Sequence, residues 1–151
     1  MQPQHKLRLY VDIDGTILSH EPGDGPNDKA LKNGAVDFLE WAIKEFDVYW
    51  LTAWAVDGDA NGVRHDLEPY LPPSCHGLPI AIWGRLKTEA FEREDGNFLW
   101  ADDSVLHAEY KWLDERDWSD RVVLARASDP SVAAIESEIK QKSKFLQERP
   151  K

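Results

Sequence analysis

The chain has 151 residues, of which 42% are hydrophobic, and its formal net charge is −10. This length and hydrophobic content are typical of one globular domain with its own core, here predicted to span residues 1–151, and they exclude a largely disordered chain. The negative charge excludes broad, sequence-independent binding to nucleic acid, which depends on clustered lysine and arginine.

The sequence also predicts where the protein resides. No apolar run approaches the roughly 20 residues of a membrane span. The polar residues 1–6 pass straight into the first apolar run, which leaves no room for a signal peptide. Cys75 is the only cysteine, so neither an internal disulfide nor a thiolate zinc site can form. We therefore expect a cytoplasmic protein with no membrane partner.

The first predicted strand, residues 7–13, is apolar but carries two aspartates at its end, Asp12 and Asp14, followed by Gly15 and Thr16. Strand alternation directs the two carboxylates to the same side. A strand that is buried on both faces does not carry such groups unless something compensates their charge. A divalent cation is the simplest compensating group.

Residues 18–27 are rich in glycine and proline and are predicted to form a loop, and residues 26–28 are predicted to start the first helix. One buried helical stripe continues to residue 46; its members are Leu31, Ala35, Phe38, Leu39, Ala42 and Phe46. The second predicted strand, residues 48–51, is followed by Thr52.

The loop that follows, residues 54–62, leads into a short helix that is predicted to end near residue 71, before two prolines. Two interpretations of this region are open. Asp57, Asp59, Asn61 and Glu68 match the spacing of a calcium-binding loop, although a strand replaces the entering helix and Arg64 replaces an aliphatic residue. The alternative is a polar turn that leads into a helix.

The rest of the chain continues the alternation of strands and helices. The predicted elements are a strand at 78–83, a helix at 87–93, a strand at 97–101, a helix at 107–116, a strand at 121–125 and a last helix capped by Asp129 with Pro130 in its first turn. This alternation predicts an α/β fold with a doubly wound, five-stranded parallel sheet.

Further residues that could take part in catalysis or binding lie at or after the later predicted elements. Thr52 follows the second strand, Asp102 and Asp103 follow the fourth, and Lys87 lies near a predicted helix start. Open α/β sheets bind ligands at the carboxyl ends of their strands. Each of these residues also has an ordinary structural interpretation, as a strand-end hydroxyl, a helix cap or a solvated lysine.

Four short motifs of this sequence resemble those of the haloacid dehalogenase superfamily and occur in the same order. They are Asp12-x-Asp14-Gly15-Thr16, Thr52, Lys87 and the Asp102-Asp103 pair. The resemblance implies a Rossmannoid domain in which the first, second and fourth strands are neighbours. It also implies that a cap module is absent, because residues 18–27 and 84–87 are too short to hold one. Members without a cap commonly act on large substrates or rely on a second subunit, so the resemblance leaves a homo-oligomer open.

The resemblance also implies a role for each motif residue. Asp12 would be the nucleophile that forms an aspartyl phosphate, and Asp14 would be the general acid and base. Within the superfamily, an aspartate at the position of Asp14 favours a phosphatase. Thr52 would bind a phosphoryl oxygen, and Lys87 would offset negative charge. Mg²⁺ would be held by Asp12, the backbone carbonyl of Asp14, and Asp102, with Asp103 as the alternative ligand. The substrate class stays open among sugar phosphates, nucleotides, nucleic-acid ends and phosphoproteins.

Two other functions use similar residues. A phosphate-accepting receiver domain also combines acids, a threonine and a lysine, but it separates its acidic pair from the phosphorylated aspartate and lacks Asp-x-Asp-Gly-Thr. A catalytically silent binding domain is the third interpretation. Trp54 and Trp83 either pack in the core or border the pocket and stack on a flat substrate group.

Overall fold

The computed structural model describes residues 6–19 and 30–148. The strands and α-helices of this part are β1 (Arg8–Val11), α1 (Ala35–Glu45), β2 (Asp47–Trp50), α2 (Asn61–Asp66), β3 (Phe98–Asp102), α3 (His107–Asp114), β4 (Val122–Leu124) and α4 (Ala133–Glu148). Short 3₁₀ segments lie between them, at Ala53–Gly58, Glu68–Tyr70, Pro73–Cys75, Lys87–Phe91 and Ser119–Arg121.

The fold is α/β, and the strands of the described part form a four-stranded parallel sheet in the order β2-β1-β3-β4. Leu9 of β1 is paired with Val48 of β2 and with Leu99 of β3. β1, which leads into the two aspartates, therefore lies between β2, which precedes Thr52, and β3, which precedes Asp103. Since all four strands run the same way, their carboxyl ends meet at one edge.

Both faces of the sheet are buried, and the side chains of each strand alternate between the two faces. On one face, Leu9 and Leu99 join a core cluster that includes residues of α1 and α4. On the other, Tyr10 and Trp100 join a cluster that includes Phe91 and residues of α3. This burial explains why the strands are continuous apolar runs in the sequence.

The prediction of a fifth strand at residues 78–83 is not confirmed, because this segment makes a single parallel bridge to β2 within the described residues. The Trp50 amide donates to the Pro79 carbonyl at 2.9 Å, and the Ala81 amide donates to the Trp50 carbonyl at 2.8 Å. Pro79 has no N–H, so the ladder cannot continue in one direction. In the other direction, the Trp83 indole donates to the Thr52 carbonyl at 3.1 Å, where a ladder bond would lie.

The first helix begins later than predicted. The predicted start at 26–28 lies outside the described residues, and the described helix begins at Ala35. Before this helix, the backbone of residues 30–32 forms hydrogen bonds with the turn after β1. The Ser19 amide donates to the Ala30 carbonyl, and the Lys32 amide donates to the Ile17 carbonyl, both at 2.8 Å. Gly34, with φ +81°, then turns the chain into the helix.

The last helix also begins later than predicted. It starts at Ala133, and the Ser131 hydroxyl accepts the Ala133 amide at 3.1 Å. Asp129 instead accepts the Ser131 amide at 3.0 Å, so it stabilises the turn before the helix. Serine and aspartate are both good caps, and the sequence alone does not rank them.

The connection that could hold an inserted domain is short where it is described. Trp83 is followed within four residues by the 3₁₀ segment Lys87–Phe91, which was predicted as a longer α-helix. Most of the predicted loop at 18–27 lies outside the described residues. No helix of the described part is long and apolar enough to cross a membrane.

Phe91 anchors the segment that carries Lys87, and its ring lies 4.6 Å from that of Phe98 and 5.3 Å from that of Trp100. We expect Phe91→Ala to lower the free energy of unfolding by about 3–5 kcal/mol, because it leaves a cavity in a fully buried cluster. Urea denaturation measures this change. Phe145→Ala is the control, because Phe145 is 63% exposed and its truncation should change the free energy of unfolding by less than about 0.5 kcal/mol. Equal losses in the two variants would contradict the packing described.

Candidate active site

A tight turn directly after β1 shapes the first part of the site. The Ile13 carbonyl accepts the amides of Thr16, Ile17 and Leu18 at 3.1–3.2 Å. Gly15 adopts φ +78°, a conformation that residues with a Cβ rarely adopt. The turn therefore reverses the chain immediately after the second aspartate and keeps both aspartates at the sheet edge.

Three carboxylates converge at this edge, as the sequence predicts. Asp12, Asp102 and Asp103 each offer an oxygen atom, and these atoms lie within 4.8 Å of one another. Asp12 and Asp102 are almost completely buried, and Asp103 is half-buried. The Asp12 amide donates to the Ala101 carbonyl at 2.9 Å, which continues the pairing of β1 with β3 and fixes the register of the acids.

Lys87, the first residue of the 3₁₀ segment Lys87–Phe91, extends its side chain into this cluster. Its Nζ donates to Asp102 Oδ2 at 2.6 Å and to Asp12 Oδ1 at 3.1 Å. The structure thus brings the predicted lysine to the predicted acids, across a sequence separation of 75 residues. One ammonium group links the ends of two neighbouring strands.

Glu109 positions Lys87 and was missed by the sequence analysis. Its carboxylate accepts the Lys87 amide at 2.7 Å and the Leu106 amide at 2.9 Å, so it joins the starts of two helical segments. Glu109 is buried, although it lies in the first turn of α3. A glutamate at the third helical position is a known capping signal, but its second partner is distant in sequence.

Other donors hold the acids in place. Asp102 accepts the Trp100 indole N–H at 3.1 Å and the Ser104 amide at 3.0 Å, in addition to Lys87. The Thr16 hydroxyl lies 3.4 Å from Asp12 Oδ2 and donates to it. By contrast, no described residue donates a hydrogen bond to Asp103.

Asp14 and Thr52 lie at the same cavity as the cluster. Thr52 is buried, and its hydroxyl accepts the Trp54 amide at 3.1 Å. Asp14 Oδ2 accepts the Trp54 indole N–H at 2.8 Å. The cavity has a volume of about 370 Å³, and its lining includes Asp12, Asp14, Thr52, Trp83, Arg85, Lys87, Asp102 and Asp103. Trp83 thus borders the cavity, as one of the two interpretations expected, whereas Trp54 contacts Asp14.

The charges of the cluster do not balance. Burial, followed by the nearby Asp102 carboxylate, raises the pKa of Asp12 to about 8, and burial also raises the pKa of Asp102. Burial opposes the charge of Lys87, but the two carboxylates outweigh it and raise the pKa of this lysine. Three carboxylates therefore share one ammonium group in a region with little access to water.

This charge imbalance fits a divalent cation. If all three acids are ionised, the cluster with Lys87 carries two excess negative charges, which are unfavourable when buried. Carboxylate oxygens are the ligands that Mg²⁺ prefers, and a few carboxylates suffice because the ion keeps several waters. The donor set and the charge both fit the predicted ion.

Lys32 is a second residue that the sequence analysis missed, because it was assigned to a predicted helix. Its Nζ donates to the Gly15 carbonyl at 2.7 Å and to the Arg126 carbonyl at 2.8 Å. Lys32 is buried, and this burial lowers its pKa. It therefore ties the turn after β1 to the chain after β4.

The calcium-loop interpretation finds no support in the geometry. The Glu68 carboxylate accepts hydrogen bonds from the Arg64 guanidinium and, at 2.8 Å, from the Gly77 amide. Asp59 accepts the Asn61 amide at 3.0 Å, as in a polar turn that starts a helix. Within residues 6–19 and 30–148, the acids that gather closely enough to hold an ion are Asp12, Asp102 and Asp103.

Cys75 and His76 do not form a reactive pair. Cys75 is buried, and burial raises the pKa of its thiol. The His76 ring nitrogen Nε2 lies 2.7 Å from the Glu68 carbonyl and 2.9 Å from the Leu71 carbonyl. Both side chains therefore have a structural role in this loop.

Comparison with known proteins adds no family assignment. No protein-family model matches the chain, and a search of curated proteins finds no significant match. The resemblance to the haloacid dehalogenase superfamily is therefore carried by the four motifs alone.

Gly15 is required by the approach of Asp103. A Cβ atom at position 15 would lie 2.0 Å from Asp103 Oδ2, and the φ of +78° would add strain. Gly77, at φ +74° with nothing within 4 Å of such a Cβ, is the matched control. We expect Gly77→Ala to lower the free energy of unfolding by about 1–2 kcal/mol, through strain alone, and Gly15→Ala to lower it further.

Thermal denaturation of the two variants checks this expectation. Once isothermal titration calorimetry has established Mg²⁺ binding by the wild type, Gly15→Ala should weaken it, because the clash displaces Asp103, whereas Gly77→Ala should leave it unchanged. If both alanines have the same effect on stability and on Mg²⁺ binding, Asp103 does not lie against Gly15.

Proposed function

We propose that the protein is a magnesium-dependent phosphomonoester hydrolase that works through an aspartyl phosphate on Asp12. The observation that carries the proposal is the meeting of Asp12, Asp102 and Asp103 around Lys87, beside a cavity that Asp14 and Thr52 also line. The motif order and this geometry together support membership of the haloacid dehalogenase superfamily, in its cap-less, doubly wound form.

In the first half-reaction, a carboxylate oxygen of Asp12 attacks the phosphorus of the substrate and the bond from phosphorus to the leaving oxygen breaks. Asp14 gives a proton to that oxygen, so a neutral alcohol leaves and Asp14 becomes a carboxylate. Lys87 contacts Asp12 and offsets the negative charge that gathers there. Thr52 donates its hydroxyl to a phosphoryl oxygen.

In the second half-reaction, Asp14 takes a proton from a water molecule, whose oxygen attacks the phosphorus of the aspartyl phosphate. The bond between phosphorus and Asp12 then breaks, which restores the Asp12 carboxylate and releases inorganic phosphate. The net reaction consumes one water and one phosphomonoester and yields one alcohol and one phosphate.

Asp12, the Asp14 backbone carbonyl and Asp103 would hold the ion. Bound there, Mg²⁺ supplies charge neutralisation for the phosphoryl group and for the buried carboxylates. Asp103 is favoured as a direct ligand because no described residue donates to it, whereas Asp102 already accepts three donors. Asp102 then orients Lys87.

The activity is tested with 4-nitrophenyl phosphate and Mg²⁺. We expect turnover by the wild type and a loss of at least about 10³-fold in kcat for Asp12→Asn, because an amide cannot act as the nucleophile. Asp14→Asn should lose about 10²–10⁴-fold in kcat, the usual contribution of a general acid and base. Release of nitrophenolate measures both rates.

Asp114→Asn is the matched control, because this aspartate is exposed on α3 and should leave turnover unchanged. Equal rates in the wild type, Asp12→Asn and Asp14→Asn would refute the mechanism. A phosphoprotein that persists for many minutes after treatment with acetyl phosphate, without turnover of 4-nitrophenyl phosphate, would favour the receiver function instead.

The ion site gives a second, independent test. We expect Asp103→Asn to weaken Mg²⁺ binding by roughly tenfold or more, about 1.4 kcal/mol, because a charged oxygen ligand is replaced by an amide. Isothermal titration calorimetry with MgCl₂ measures the affinity, and Asp114→Asn again serves as the control. Unchanged binding by Asp103→Asn would exclude Asp103 as a ligand.

A further inference from the structure

We propose that Trp54 is a positioning residue for Asp14, and that its indole N–H holds this carboxylate in the direction from which it reaches the leaving oxygen. This inference rests on the proposed function and deepens it. The geometry behind it is the 2.8 Å hydrogen bond from Trp54 Nε1 to Asp14 Oδ2, which joins two residues 40 positions apart.

Other contacts of Trp54 hold its indole in place for this hydrogen bond. The main-chain amide of Trp54 donates to the Thr52 hydroxyl at 3.1 Å, at the start of the 3₁₀ segment Ala53–Gly58. The indole is partly buried and packs against the larger core cluster. One residue therefore donates to two of the four predicted catalytic residues, and its ring has little freedom to move.

The Trp54 indole does not take part in the proton transfer that it supports. An indole N–H donates and cannot accept, so it never takes the proton that Asp14 exchanges. The same hydrogen bond can therefore hold Asp14 both when it gives a proton to the leaving oxygen and when it takes one from water.

The arrangement also fixes the direction of the side chain. An aspartate at the end of a strand can populate several rotamers, and an acid that is misplaced by about 1 Å loses much of its effect. Trp83 has a different role, because its indole donates to the Thr52 carbonyl and the residue lines the cavity. The two tryptophans are therefore not interchangeable.

The experiment compares two leaving groups in Trp54→Phe, which keeps an aromatic ring and removes the N–H. Transfer from an alkyl phosphate needs protonation of a poor leaving group, whereas 2,4-dinitrophenolate leaves without it. We expect kcat/KM for glycerol 2-phosphate to fall about 10- to 100-fold, part of the usual contribution of general acid catalysis. For 2,4-dinitrophenyl phosphate, we expect a change of less than about threefold.

Trp41→Phe is the matched control, because Trp41 is partly buried on α1 and packs against Phe38 and Phe46. It should leave both kcat/KM values unchanged. An equal loss for both substrates in Trp54→Phe, or no loss for either, would overturn the positioning role while leaving the hydrolase function intact. A wild type that hydrolyses neither substrate would overturn the hydrolase function and, with it, this inference.

A measurement without turnover tests the hydrogen bond itself. In ¹⁵N-labelled protein, the Trp54 indole N–H resonance should be shifted downfield and slow to exchange with solvent, and Asp14→Ala should abolish both properties. The Trp41 indole resonance should be the same in both proteins. An unshifted, rapidly exchanging Trp54 indole in the wild type would overturn the inference independently of any activity.

Discussion

The ion pairs of Lys87 with Asp12 and Asp102 are the interaction on which the rest of the site depends. A buried carboxylate is strongly unfavourable without a partner, and here two of them lie at neighbouring strand ends and share one ammonium group. Removing the lysine would leave both acids buried without their cation. The pairing is also incomplete, since Asp103 adds a third negative charge, and this imbalance gives the edge of the sheet its capacity for a divalent cation.

The register of the sheet and two side chains outside it bring these charged groups together. The β1–β3 register pairs Val11 with Ala101, so the Asp12 amide donates to the Ala101 carbonyl and Asp102 and Asp103 come to the same edge. Lys87 comes from outside the sheet, so its position depends on Phe91 in the core and on Glu109, which accepts its amide. Phe91 is not among the residues that line the cavity, yet it can decide through Lys87 whether the carboxylates are compensated.

Much of this arrangement could be predicted from the sequence, and the exceptions have physical reasons. Continuous apolar runs indicate buried parallel strands, so the α/β class and the shared edge of Asp12 and Thr52 follow from pattern alone. The strand expected at 78–83 does not form because Pro79 lacks the required N–H, and no periodicity signal reveals this. Lys32 and Glu109 were missed because their partners are backbone groups that only the tertiary fold brings near.

Asp12 and Asp14 lie two residues apart and face the same cavity, yet their surroundings differ in a way that can divide the chemistry between them. Asp12 is buried, and the Lys87 ammonium group opposes the rise in its pKa that burial causes and holds the carboxylate in one place, as a nucleophile needs. Asp14 is half-buried and accepts a hydrogen bond from the Trp54 indole, a donor that carries no charge. Two identical side chains in different environments are the usual basis for assigning separate acid and nucleophile roles. The proposed reaction therefore depends on Trp54 as well as on the two aspartates, but less strongly, because Trp54 acts only through the orientation of Asp14.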